Sequence, residues 1–294
     1  MRTRLKDVWP FGKPKTPGYG ISGGFYLSVL AGTARLPSIV EVVEPKGTSG
    51  TVAGFGAPLA GSTDKSKLVE PLERGAYAIA SLDQKTVLRM LVLPKDEAGF
   101  DPEAFLRSPL SIGLSDELRN RARATWTLCQ LTFEAHDPAV YPSLDFFLAI
   151  AKRLGDLTEG VIADPLAQTY KLPSQLIAPD SAQPIDARNM ISVGSDERYV
   201  FTLGMQKFSL PEFEMDEVDE PQTTVASEFL LGLCQSVVLG GPIQPGTQVG
   251  SKKAPIQVAE GGLNRARWEG IPCYELIPAK GLLSDALSAW SNER

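Results

Sequence analysis

Two long apolar helical patterns, one in each half of the chain, set the strongest limit on its fold. In SLDFFLAIAKRLGDLTE, residues 143 to 159, Leu144, Phe147, Leu148, Ala151, Leu154 and Leu157 recur at three- and four-residue spacing. Lys152, Arg153, Asp156 and Glu159 stay off that stripe, so one helix face is apolar and must be covered by a sheet. TVASEFLLGLCQSVVL, residues 224 to 239, reads as a buried helix closed by Gly240, Gly241 and Pro242.

Around each helix lie short β-rich runs. In the first half they are FYLSVL, the pair of runs in GAYAIASLDQKTVLRMLVLP (75 to 94) hinged at Asp83-Gln84, TWTLCQLTFEAH and GVIADP. The alternation in TWTLCQLTFEAH places Thr127, Cys129, Leu131 and Phe133 on one strand face. In the second half they are NMISVG and RYVFTLG, read as a hairpin around Ser195-Asp196, then APIQVAEGG and IPCYELIPA. Ser115 is placed to cap a short helix with Asp116 and Glu117 in its first turn, and GLLSDALSAW reads as a terminal helix. The expected fold class is therefore α+β, two related units of antiparallel or mixed sheet with packed helices.

Residues 1–22 carry Arg2, Arg4, Lys6, Lys13 and Lys15 with several prolines and glycines, and read as a flexible basic tail. The proline-rich stretch 165–187 is the best internal boundary, which gives an N-terminal unit over 23–180 and a C-terminal unit over 181–294. The segment 44–75 reads as a long loop.

Charge and cysteine content narrow the function classes. A net charge of −6 over 294 residues opposes attraction to nucleic acid or to an anionic membrane surface. No stretch reads as the ~18 to 20 apolar residues of a spanning helix. Three widely spaced cysteines, Cys129, Cys234 and Cys273, fit neither a disulfide framework nor a zinc site, and point to a reducing, cytoplasmic compartment with the thiols buried. The run GFYLSVLAGTA (24 to 34) has the outline of a signal peptide, but Tyr26 and Ser28 interrupt it.

Motifs for chemistry fail on context. GYGISGG has a nucleotide-loop glycine spacing but follows a lysine- and proline-rich tail and precedes a strand. GAPLAGST has Ser62 where a P-loop needs lysine. His136 is the only histidine, and in AHDP it reads as a strand end before a turn. What remains is FTLGMQKFSLPEFEMDEV, residues 201 to 218. There an alternating run with Phe201, Leu203 and Met205 turned to the core breaks at Pro211, and six acids follow within nine positions: Glu212, Glu214, Asp216, Glu217, Asp219 and Glu220. Such a charge run reads as a solvated, exposed edge.

Thr202, Gly204, Met205, Phe208, Pro211, Glu212, Phe213 and Glu214, with Pro245-Gly246 further on, fit a pattern T-x-G-[LM]-x-x-[FL]-x-x-P-E-[FIL]-E. The last third of the chain thereby resembles a domain of unknown function among small bacterial α+β proteins, with suppressor-of-fused-like or immunity-type binding roles. The resemblance implies binding and supplies no catalytic residues.

The expected function is a non-enzymatic module that binds a protein partner, cationic in character, through the acids from Glu212 to Glu220, with no cofactor and no metal. The alternative is a hydrolase or transferase that uses a divalent cation held by acids around Asp164 and Glu212.

Overall fold

A computed structural model describes residues 20–43, 54–58, 68–136, 140–177, 185–262 and 264–293. Most of the basic tail, the bulk of segment 44–75, the Asp137-Pro138 turn and part of the proline-rich boundary lie outside the described residues. Ile21 and Ser22, assigned to the tail by composition, are already fixed: Ile21 is buried, and the Ser22 amide donates to the Lys207 carbonyl at 2.8 Å.

The first unit is an antiparallel sheet of β1 (Tyr26–Ala31), β2 (Gly54–Pro58), β3 (Gly75–Ser81), β4 (Val87–Pro94), β5 (Thr127–Ala135), β6 (Val161–Asp164) and β7 (Thr169–Lys171). Its strand order is β2-β3-β4-β5-β1-β6-β7. The second unit is a mixed sheet of β8 (Ser192–Asp196), β9 (Tyr199–Leu203), β10 (Glu212–Met215), β11 (Gln248–Gly250), β12 (Pro255–Glu260) and β13 (Cys273–Pro278). Its order is β11-β12-β13-β10-β9-β8, with β10 parallel to β13 and antiparallel to β9. The α+β architecture with two sheet units is the expected one.

Among the helices are α1 (Ile39–Val43), α2 (Pro102–Arg107), α3 (Asp116–Arg123), α4 (Val140–Leu157), α5 (Thr223–Gly240) and α6 (Leu283–Asn292). Ser115 caps α3 as expected, its Oγ accepting from the Leu118 amide at 3.3 Å. On α4 the stripe Leu144, Phe147, Leu148, Ala151 and Leu154 is buried in one core with Leu27, Val29 and Ile162 of the first sheet. Phe147 meets Phe25 at 5.0 Å and Phe133 at 4.7 Å between ring centroids. The other face of the first sheet is covered at one end by α3, where Leu118 packs with Leu30, Val161 and Ala163. The α4 core continues without a break into the second unit, through Phe208, Phe213, Leu230 and Val237.

By length and composition the run Glu220–Gly240 is long and apolar enough to cross a membrane, with a mean hydropathy of 1.3, which corrects the expectation that no stretch reaches that limit. In the fold it lies along β8 and β9, with Ala226, Phe229, Leu230, Leu233, Cys234, Val237 and Val238 buried. One face of the helix is thus part of the core.

All three cysteines are free and buried. Burial pushes the Cys129 thiol up to about 12 and the Cys234 thiol well above its ordinary value. Burial, then the charges of Glu214 and Glu212, raise Cys273. In the native protein none of the three should react with an aqueous disulfide reagent within minutes at pH 8, since thiolate is scarce and access is closed. Rapid labelling of two or more would contradict this packing.

Candidate functional site

The acidic segment does not form an edge. β10 sits inside the second sheet between β9 and β13, and Glu212 and Glu214 are fully buried while Asp216, Glu217, Asp219 and Glu220 are exposed. The expectation of six exposed acids is corrected for the first two. Alternating glutamates on a strand mark a water-facing row only if nothing covers that row, and here other segments of the chain cover it. Pro211 does not end pairing either. It stands just before β10, where a strand tolerates the missing donor, and the next amide, Glu212 N, donates to the Pro272 carbonyl at 2.9 Å.

The inward-facing residues of β9 are also the reverse of those expected. Val200 lies in the main core and Thr202 is fully buried, whereas Phe201 packs on a separate cluster with Trp268 and Cys273, and Leu203 is only partly buried. Met205 does enter the main core, from the tight turn Met205–Phe208 that joins β9 to β10.

That turn and β10 form a buried polar joint. Glu212 accepts from the Thr202 hydroxyl at 2.7 Å, from the Gly204 amide at 2.8 Å and from the Gln206 amide at 3.3 Å. The Thr202 oxygen in turn accepts from the Phe213 amide at 2.8 Å. Burial raises the Glu212 carboxyl above the ordinary range, opposed by the hydroxyl and amides that donate to it. Gly204 stands at φ 111°, and a Cβ there would lie 2.9 Å from the Met190 carbonyl oxygen, so both the backbone angle and the close approach require glycine.

Lys207, in the same turn, is fully buried, and its ammonium donates to Asp164 Oδ2 and to the Met190 carbonyl. Asp164 closes β6 of the first sheet, and its other oxygen accepts from the Ala167 amide at 3.0 Å. The ammonium also lies 5.8 Å from the centroid of the Phe25 ring. Nearby, Lys171 Nζ donates to the Asn189 carbonyl at 2.5 Å, and burial, then the Lys207 charge, lowers its pKa. The two units are therefore tied by an ion pair with satisfied partners. The cavity beside it, lined by Asp164, Lys171, Asn189 and Met190 among others, has a volume of about 10 Å³, room for about one water.

Glu214 lies two residues further along the same strand. Its Oε2 accepts from Trp268 Nε1 at 2.5 Å, and across the parallel register it stands beside Glu275. Burial, then the charges of Glu214 and Asp216, raise the Glu275 carboxyl. Burial, then Glu214, raise the Tyr199 phenol.

The exposed acids adjoin the β8–β9 turn. The buried Val218 amide donates to the Arg198 carbonyl at 3.0 Å, and Arg198 pairs with Asp219 at 3.2 Å. This brings Asp216, Glu217, Asp219 and Glu220 beside Asp196 and Glu197 at one corner of the second sheet. Among the described residues no group of three or more histidines, cysteines or acids is placed to hold a metal ion.

Sequence reasoning singled out Asp164, Glu212 and Glu214 but missed Lys207, the buried partner of Asp164, and Trp268, the donor to Glu214. A lysine among apolar residues ordinarily reads as exposed, and nothing local marks Trp268 as the partner of a glutamate 54 residues away. Comparison with protein-family models, with curated proteins and with solved structures gave no match.

Proposed function

We propose that the chain is a non-enzymatic module that binds a cationic protein partner at the acidic corner of its second sheet. The observation that carries this reading is the exposure of Asp216, Glu217, Asp219 and Glu220 next to Asp196 and Glu197, with Arg198 and Arg267 as the neighbouring cations. Such a field attracts cations and speeds their encounter. It repels nucleic acid and anionic lipid, so neither is a partner, and the free thiols suit a reducing, cytoplasmic setting. The cation-dependent hydrolase or transferase is the weaker reading, because the oxygens of Asp164 and Glu212 already receive donors from the protein itself.

The test is a variant carrying Asp216→Asn, Glu217→Gln, Asp219→Asn and Glu220→Gln, with Glu212 and Glu214 left intact. Exposed sites of this kind should shift stability by no more than about 0.5 kcal/mol each. Octa-lysine should bind the wild type in a salt-sensitive manner and the variant at least about tenfold more weakly. Equal binding by the two proteins would remove the corner from the account.

A further inference from the structure

On the face of the second sheet that carries Phe201, Glu214 and Cys273, the cover is a length of irregular chain, residues 264–271. Among the described residues its backbone-to-backbone hydrogen bonds are internal: the Arg267 and Trp268 amides donate to the Asn264 carbonyl and the Ile271 amide to the Trp268 carbonyl. Side chains hold it to the sheet. Trp268 donates to Glu214, and its ring meets Phe201 edge-on at 5.9 Å. The Arg267 guanidinium lies 3.8 Å above the centroid of Phe201 and pairs with Asp196 at 3.0 Å. Gly262, just before the cover, has no room for a side chain, since a Cβ would stand 2.6 Å from the Trp268 ring.

An aromatic face beside a carboxylate is a seat for a guanidinium, which stacks flat and pairs in plane. Arg267 fills this seat incompletely. Its Nε is buried and finds no acceptor among the described residues, and its side chain is 25% exposed towards an Asp196 that is 64% exposed. The seat therefore opens onto the acidic corner.

We propose that residues 264–271 are a displaceable internal cover, and that Arg267 occupies the place an arginine of the partner takes on binding. This rests on the partner-binding reading above and adds two things: arginine is preferred to lysine, and the resident Arg267 lowers the apparent affinity by competing for the seat. Displacement lifts Trp268 off Glu214 and uncovers Cys273, the buried thiol in the same cluster.

The experiment compares octa-arginine and octa-lysine binding to the wild type, Arg267→Ala, Arg267→Lys and Arg198→Ala, and follows the labelling rate of Cys273. Arg198→Ala removes a corner cation of equal charge without emptying the seat. Arg267→Ala should bind octa-arginine about fivefold or more tighter than the wild type, by removal of the internal competitor. The gain for octa-lysine should be smaller, Arg267→Lys should fall between, and Arg198→Ala should gain less than Arg267→Ala. Octa-arginine should speed Cys273 labelling in the wild type. If both peptides bind but Arg267→Ala and Arg198→Ala gain equally, with Cys273 still protected, the cover is structural and only the partner-binding reading stands. If neither peptide binds any of the four proteins, both proposals fall.

Discussion

Lys207→Met destabilises the protein by about 3–5 kcal/mol, because it leaves Asp164 a buried charge without its cation. For a fold whose total stability is on the order of 5–15 kcal/mol, that is the largest loss expected from one substitution here. Methionine keeps most of the length and volume of the lysine stem, so the loss reports the missing ammonium rather than a cavity. Adding Asp164→Asn removes the stranded charge and keeps an oxygen for the Ala167 amide, so the double variant should regain at least about half of the loss. Urea denaturation of the four proteins of this cycle is the check. A loss under about 1 kcal/mol for Lys207→Met, the range of exposed pairs, would mean that the pair is open to water.

Glu212→Leu is expected to cost about 3 kcal/mol, since the Thr202 hydroxyl and the Gly204 and Gln206 amides lose their acceptor inside the protein. Glu212→Gln should be mild: its oxygen can still accept from the amides, and its NH2 can donate to the Thr202 oxygen. The two variants separate the need for an acceptor from the need for a charge. Glu212 also carries a pH signature. Its carboxyl is raised by burial, so between the unfolded and folded pKa values the native state holds the proton more often than the unfolded chain does. The stability contributed by this group is complete below the ordinary carboxylate range. It declines as pH rises towards the raised value and is flat beyond it. Glu212→Gln lacks this slope, so relative to the wild type it should fare better at neutral pH than at acidic pH, as urea midpoints at a series of pH values would show. A gap that widens with rising pH would mean that the folded carboxyl is held ionised.

Local pattern made much of the fold legible. The stripe on α4, the apolar run of α5, the hairpin of β3 and β4 and the cap at Ser115 each follow from spacing within a few residues. Helix α2 was missed although Asp101 followed by Pro102 is a readable start, with the Asp101 carboxylate accepting from the Glu103 amide at 2.9 Å. Strands β2, β7 and β11 are short and rich in glycine or polar residues, and they exist through their neighbours rather than their own propensity. The β8–β9 turn falls at Glu197 and Arg198, just past the expected Ser195-Asp196.

The site was legible as a segment and not as an arrangement. Glu212 and Glu214 stood out, but their parity alone cannot say whether water or protein covers that face. The answer comes from outside the strand, Trp268 at Glu214 and the turn that carries Gly204 and Gln206 at Glu212. The fit to T-x-G…P-E-F-E has a structural explanation here: Thr202 and Gly204 both donate to Glu212, and Met205, Phe208 and Phe213 fill the core around them.

Amide hydrogen exchange through residues 201–215 tests most directly whether this segment is a buried joint between the sheets. The Phe213 amide, bonded to the Thr202 hydroxyl, and the Gly204 amide, bonded to Glu212, should exchange as slowly as the centre of β1, through global unfolding. Lys207→Met should speed both by the factor that matches its loss of stability. Exchange of Phe213 and Gly204 at the rate of the exposed turn at Asp216 and Glu217 would contradict the account, because it would return the glutamates of β10 to an open edge.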